Sequence, residues 1–223
     1  KTMTNEKTTC TKSNMIKTLA LSACIALAAG LQPTDGAVTM INLDFNLDDT
    51  PDNYTGASAN GPIASVGGAT WNYMNIPTDA GSNDPTGESL SNLVDDSGAA
   101  TTVDVALGGT WVGTFDDDAS NHLQRDRIYT QFGNTGTVTF SGLIDGGFYN
   151  VAMINLPASY SADYTIGGTT LAASGGDAGA NLNGPLTFTE GTTHVLFTTV
   201  EATGGEITIS VKQSSGSAFA PLS

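Results

Sequence analysis

Residues 136–156, GTVTFSGLIDGGFYNVAMINL, constrain the fold more tightly than any other stretch. Val138 and Phe140 alternate with Thr137, Thr139 and Ser141, the two-residue period of a strand with one apolar and one polar face. Residues 148–154, FYNVAMI, are the most apolar run beyond residue 30 and read as a central strand buried on at least one face. Between the two lies Asp145-Gly146-Gly147, with the positive-φ residues a tight reversal needs. The expectation is a hairpin at the heart of a β-sheet protein.

The rest of the chain repeats this grammar. Ile41, Leu43 and Phe45 alternate with Asn42, Asp44 and Asn46, as in a half-buried first strand. Residues 70–76, 90–94, 101–107 and 110–115 read as further strands, with Asp95-Asp96-Ser97-Gly98 as a turn among them. Gly167-Gly168 marks a second hairpin, residues 172–185 a Gly-rich loop, and residues 186–188, 194–200 and 206–212 the last main strands. The segment SAFAPLS (217–223) reads as an edge strand or as a continuation toward further chain. Helix formers are sparse, with four Glu and three basic residues beyond residue 30. No repeat recurs at a fixed period. The expected class is all-β: an antiparallel β-sandwich forming one domain over residues 31–223, large enough for a sizeable core.

Residues 1–30 form a separate unit. Met15-Ile16-Lys17 precedes the apolar run TLALSACIALAAG, and Ala26-Leu27-Ala28 fits the small-x-small cleavage rule. The run is shorter than the roughly 20 residues of a membrane span. It reads as a signal helix for secretion, with lipid anchoring at Cys24 through Leu21-Ser22-Ala23-Cys24 as the competing reading. Both cysteines, Cys10 and Cys24, fall in this unit, so the expected mature domain has neither a disulfide nor a thiol nucleophile.

Beyond residue 30, 21 acidic residues face only Arg125, Arg127 and Lys212. Such a surface repels nucleic acid and anionic membranes. It suits an extracellular medium in which salt or calcium relieves the repulsion. Two acidic clusters are candidate calcium sites through their oxygen ligands: Asp48, Asp49 and Asp52, and Asp116, Asp117 and Asp118. The spacing is not that of an EF-hand, and the same residues also read as solvated, capping turns.

Candidate sugar contacts are aromatic and cationic. Trp71 and Tyr73 share a strand face and read either as a stacking platform or as core. Trp111 stands in the same position of choice. Arg125, Arg127 and Tyr129 lie in the only locally basic stretch, and they either pair with the adjacent acids or contact a saccharide. Catalytic chemistry is thin. There are two histidines, no G-x-S-x-G elbow, no metal-type Cys/His set and no phosphate loop. Paired carboxylates for glycoside hydrolysis are the one enzymatic arrangement that Asp abundance leaves open.

Phe140, Gly142, Leu143, Gly146, Tyr149 and Val151, in the form F-x-GL-x-x-G-x-Y-x-V, together with INLDFN (41–46), resemble secreted β-sandwich proteins of planctomycete and verrucomicrobial type. The resemblance spans about residues 40–223 and implies a jelly roll similar to galactose-binding-like modules. It also implies association with a PEP-CTERM sorting tail, which is not seen in this chain. It transfers no catalytic residue. The expected function is a secreted, non-catalytic, carbohydrate-binding module with a structural calcium. The alternatives are a structural or adhesive surface protein that self-associates through sheet edges, and a polysaccharide-active hydrolase.

Overall fold

The structure, a computed structural model, describes residues 40–47, 70–76, 85–115, 126–131, 133–156, 160–176 and 186–222, and the backbone of residues 25 and 26. No helix occurs among the described residues. The strands form several sheets, nearly all antiparallel, consistent with the expected β-sandwich.

The largest sheet has six strands. Its centre is β8 (Thr135–Ser141), flanked by β13 (Ile207–Gln213) and β5 (Asp104–Gly109). Beyond β13 lie β10 (Ala162–Ile166) and β11 (Thr169–Ala173), and beyond β5 lies the short β4 (Ser89–Leu90). Inward residues follow the two-residue period: Val105 and Leu107, Val138 and Phe140, Ile207, Ile209 and Val211, Ala162 and Tyr164 are all buried. They share one hydrophobic core with β9 (Phe148–Ile154), which is buried on both faces from Tyr149 to Ile154.

β9 does not pair with β8. It pairs with β12 (His194–Glu201), while β8 pairs with β13. The expected hairpin at Asp145-Gly146-Gly147 is therefore corrected to an arch that carries the chain from one sheet to another. The β12–β13 connection makes the same crossing beside it, and the two arches are stitched together. Leu143 N–H donates to the Gly205 carbonyl (3.1 Å), Gly146 N–H to Ala202 (2.8 Å), Ala202 N–H to Gly147 (2.8 Å), and Gly204 N–H to Asp145 Oδ1 (2.7 Å). Each arch supplies the partners a tight hairpin would have found within itself. The Gly167-Gly168 hairpin is present, with φ of 54° and 85°, and joins β10 to β11.

The first strand, β2 (Asn42–Leu47), pairs parallel with β3 (Trp71–Ile76). A parallel pair needs a long crossover, and residues 48–69 provide the length. The expected half-buried character of β2 is also corrected. Asn42, Asp44 and Asn46 are as buried as Leu43 and Phe45, because β2, paired edge to edge with β3, also contacts the sheet of β9 and a further sheet. That sheet runs β14 (Phe219–Leu222), β7 (Asp126–Gln131), β6 (Val112–Phe115). The SAFAPLS segment thus supplies an edge strand, and Pro221 is tolerated there because an edge strand need not donate along its open side.

Within the segment expected as a signal helix, β1 (Ile25–Ala26) is extended and pairs with Met153 and Ala152 of β9. At these two residues the open edge of β9 offers backbone partners that favour extension over helix. The rest of that segment lies outside the described residues.

Candidate functional site

A small pocket of about 140 Å³ opens on the outer face of the β14–β7–β6 sheet, lined by Arg127, Tyr129, Tyr160, Phe219 and Pro221. Strand alternation builds its floor. Ile128 and Thr130 of β7 point inward and are buried, so Arg127 and Tyr129 point outward. In register, Pro221 lies opposite Tyr129 and Phe219 opposite Gln131, which sets both β14 side chains on the same outer face.

Tyr160 arrives from the segment before β10, held by a short relay. Ser161 N–H donates to Ser217 Oγ (3.2 Å), whose hydroxyl donates to the Phe219 carbonyl (2.7 Å). Gln213 Nε2 donates to the Ser217 carbonyl, and the buried Tyr164 hydroxyl donates to the Pro221 carbonyl (2.8 Å). Phe219 then stands edge-on to both tyrosines, 4.8 Å from Tyr129 at 74° and 5.4 Å from Tyr160 at 75°. Such T-shaped pairs contribute about 0.5–1.5 kcal/mol each beyond area burial. The aromatic wall is therefore fixed before any ligand arrives.

Other expected contacts fall elsewhere. Trp111 is corrected from a stacking face to a core residue, 1% exposed, with its indole N–H donating to the Gly108 carbonyl (2.7 Å). Its ring lies against Gly136, where a Cβ would come within 2.2 Å. Trp71 is likewise core, at 5% exposure. Tyr73 is half-buried beside Asp44, and burial reinforced by that carboxylate pushes its phenol up to about 12. Neither tryptophan offers an open ring face. Arg125 and all six calcium candidates, Asp48, Asp49, Asp52, Asp116, Asp117 and Asp118, lie outside the described residues. Among the described residues no group of three or more acids, histidines or cysteines is arranged to hold a metal.

Sequence reasoning reached Arg127 and Tyr129 and missed Tyr160 and Phe219. The alternation of Phe219 and Pro221 in SAFAPLS was the available signal for one of them. Tyr160 had no local signal, since only the Ser217 relay carries it to the pocket.

No family model, characterised protein or solved structure matches the chain.

Proposed function

We propose that this chain is a secreted, non-catalytic carbohydrate-binding module of jelly-roll type. The observation that carries the reading is the Arg127–Tyr129–Tyr160–Phe219 pocket. A pyranose offers an apolar C–H face and a rim of hydroxyls. Rigid aromatic rings match the face, and a guanidinium with five donors in a fixed fork matches the rim. At about 140 Å³ the pocket is smaller than the roughly 300–1,000 Å³ of typical small-molecule sites. It suits a single sugar unit at the end or side of a longer glycan. Secretion and a structural calcium at the acidic loops belong to the same proposal, supported by the sequence features alone.

The test is binding of the full chain to a panel of soluble polysaccharides by affinity electrophoresis and calorimetry. Tyr129→Ala and Phe219→Ala should abolish retention, and Arg127→Gln should weaken it while preserving the rings. Retention unchanged in all three variants would remove this pocket as the site. Release of reducing sugar during the same incubations would replace the reading with a hydrolase.

A further inference from the structure

A second opening among the described residues is a groove of about 690 Å³ between two sheet edges. β11 is the last strand of the six-stranded sheet, and β12 is the last strand of the sheet it forms with β9 and β1. At one end the two edges are sewn together: Ser174 N–H donates to the Gly191 carbonyl and Gly175 N–H to Thr192, both at 3.0 Å. Past that seam they separate. Leu171 of β11 and Leu196 and Val200 of β12, all half-buried against the edge of the core, line the groove.

A specific distortion stands where the edges part. Thr198 and Thr199 together oppose Asn150 alone, a β-bulge, and the β12 register resumes at Val200 opposite Tyr149. Thr199 has φ of 55°, and its N–H donates to the buried Asn150 Oδ1 (2.9 Å). A β-branched residue in this region is a genuine outlier, costing on the order of 1–3 kcal/mol, and such strain concentrates at functional sites. The bulge interrupts the register of β12 with β9 within the stretch of β12 that lines the groove.

The exposed edge of β11 is competent to pair. Its register with β10 makes Ile166 and Thr169 the closing pair of a two-residue hairpin. The backbone groups of Thr170 and Ala172 therefore face away from β10, on the side of β11 that no described strand pairs with, next to the groove-lining Thr169 and Leu171. The rim carries Glu201 and Glu206, and among the described residues that line the groove none is basic.

We propose that this groove receives an extended peptide segment bearing lysine or arginine from a partner protein, added as a strand on β11. Main-chain bonds to Thr170 and Ala172 would hold the strand. Its alternate apolar side chains would fill the gap over Leu171 and Val200, and its basic side chains would meet Glu201 and Glu206. The charge of the chain argues against a second copy as occupant, because beyond residue 30 acidic residues outnumber basic ones 21 to three.

The test uses the full chain and a synthetic ten-residue peptide alternating Val with Lys, followed by fluorescence anisotropy and by amide hydrogen exchange. Binding should slow exchange at Thr170 and Ala172. It should weaken by about tenfold in the Glu201→Gln/Glu206→Gln variant, in keeping with two exposed ion pairs, and by a similar factor at high salt. The same peptide N-methylated at alternate residues should not bind. An unchanged melting temperature checks that the double variant is folded. Absence of binding overturns the proposal. So does equal binding of the N-methylated peptide, which would leave only a charge effect. Slowed exchange at Thr170 and Ala172 that rises with protein concentration, without peptide, would overturn it in favour of a second copy.

Discussion

Two residues hold energy that a substitution can expose. Thr199 sits in a backbone region that glycine occupies without strain, so Thr199→Gly should stabilise the fold. Set against glycine's larger entropy loss, the net gain is about 1 kcal/mol, a rise in melting temperature of about 2–4 °C at this size. A fall would mean that the threonine side chain holds the bulge in place. His194 is buried edge-on to Phe188, at 5.7 Å and 84°, and its Nδ1 has no hydrogen-bond partner among the described residues. Burial pushes its pKa below 6.5, opposed more weakly by Glu190. The unfolded chain therefore takes up this proton at higher pH than the folded one. The stability it confers is complete above the unfolded value and declines as pH falls below about 6.5 toward the lowered folded value. Melting temperatures between about pH 8 and about pH 5 should fall less steeply in His194→Gln than in the parent. Parallel profiles would assign the acid sensitivity to other groups.

At the scale of elements, the paired arches organise the molecule. Both crossings join the sheet of β9 and β12 to the sheet of β8 and β13, so a change in one arch is felt by four strands. Gly142 begins the first arch at φ of 73°, and a Cβ there would lie 1.9 Å from the Thr102 carbonyl oxygen. Gly142→Ala should cost roughly 2–4 kcal/mol, from left-handed backbone strain plus a forced backbone shift. Urea unfolding would measure it, and a loss under about 0.5 kcal/mol, the range of neutral surface changes, would show that the arch is not rigid. The arch was invisible in the chain itself. Asp145-Gly146-Gly147 has the turn chemistry of a hairpin, and whether the next strand pairs with its predecessor or crosses to another sheet depends on which edge is free. Gly167-Gly168 has similar chemistry and does form a hairpin, because the edge of β10 away from β13 is open to β11.

For the whole molecule, charge is the dominant long-range term. Self-repulsion among the acids should make the folded state more stable as sodium chloride rises from about 0.01 M to about 1 M, when the screening length falls from about 30 Å to about 3 Å. Calcium at matched ionic strength should raise the melting temperature further, by the binding term RT ln(1 + [L]/Kd). Equal shifts with the two salts would withdraw calcium from the proposed function and leave the acidic loops as solubility devices.

The all-β class, the position of most strands, the inward row of β8, and the Gly167-Gly168 hairpin were legible in the sequence. Each depends on a two-residue period or on local turn chemistry, which neighbouring residues determine among themselves. Partnership was not legible. The tertiary structure decided that β8 and β9 lie in different sheets, that β2 runs parallel to β3, and that the polar face of β2 is buried. It also sent Trp71 and Trp111 to the core, since a strand's alternation defines two faces without saying which one another layer will cover. The candidate pocket divides in the same way. Arg127 and Tyr129 share a face by local alternation, whereas Tyr160 and Phe219 join them through hydrogen bonds that bring residues 217–222 back onto β7 and β10.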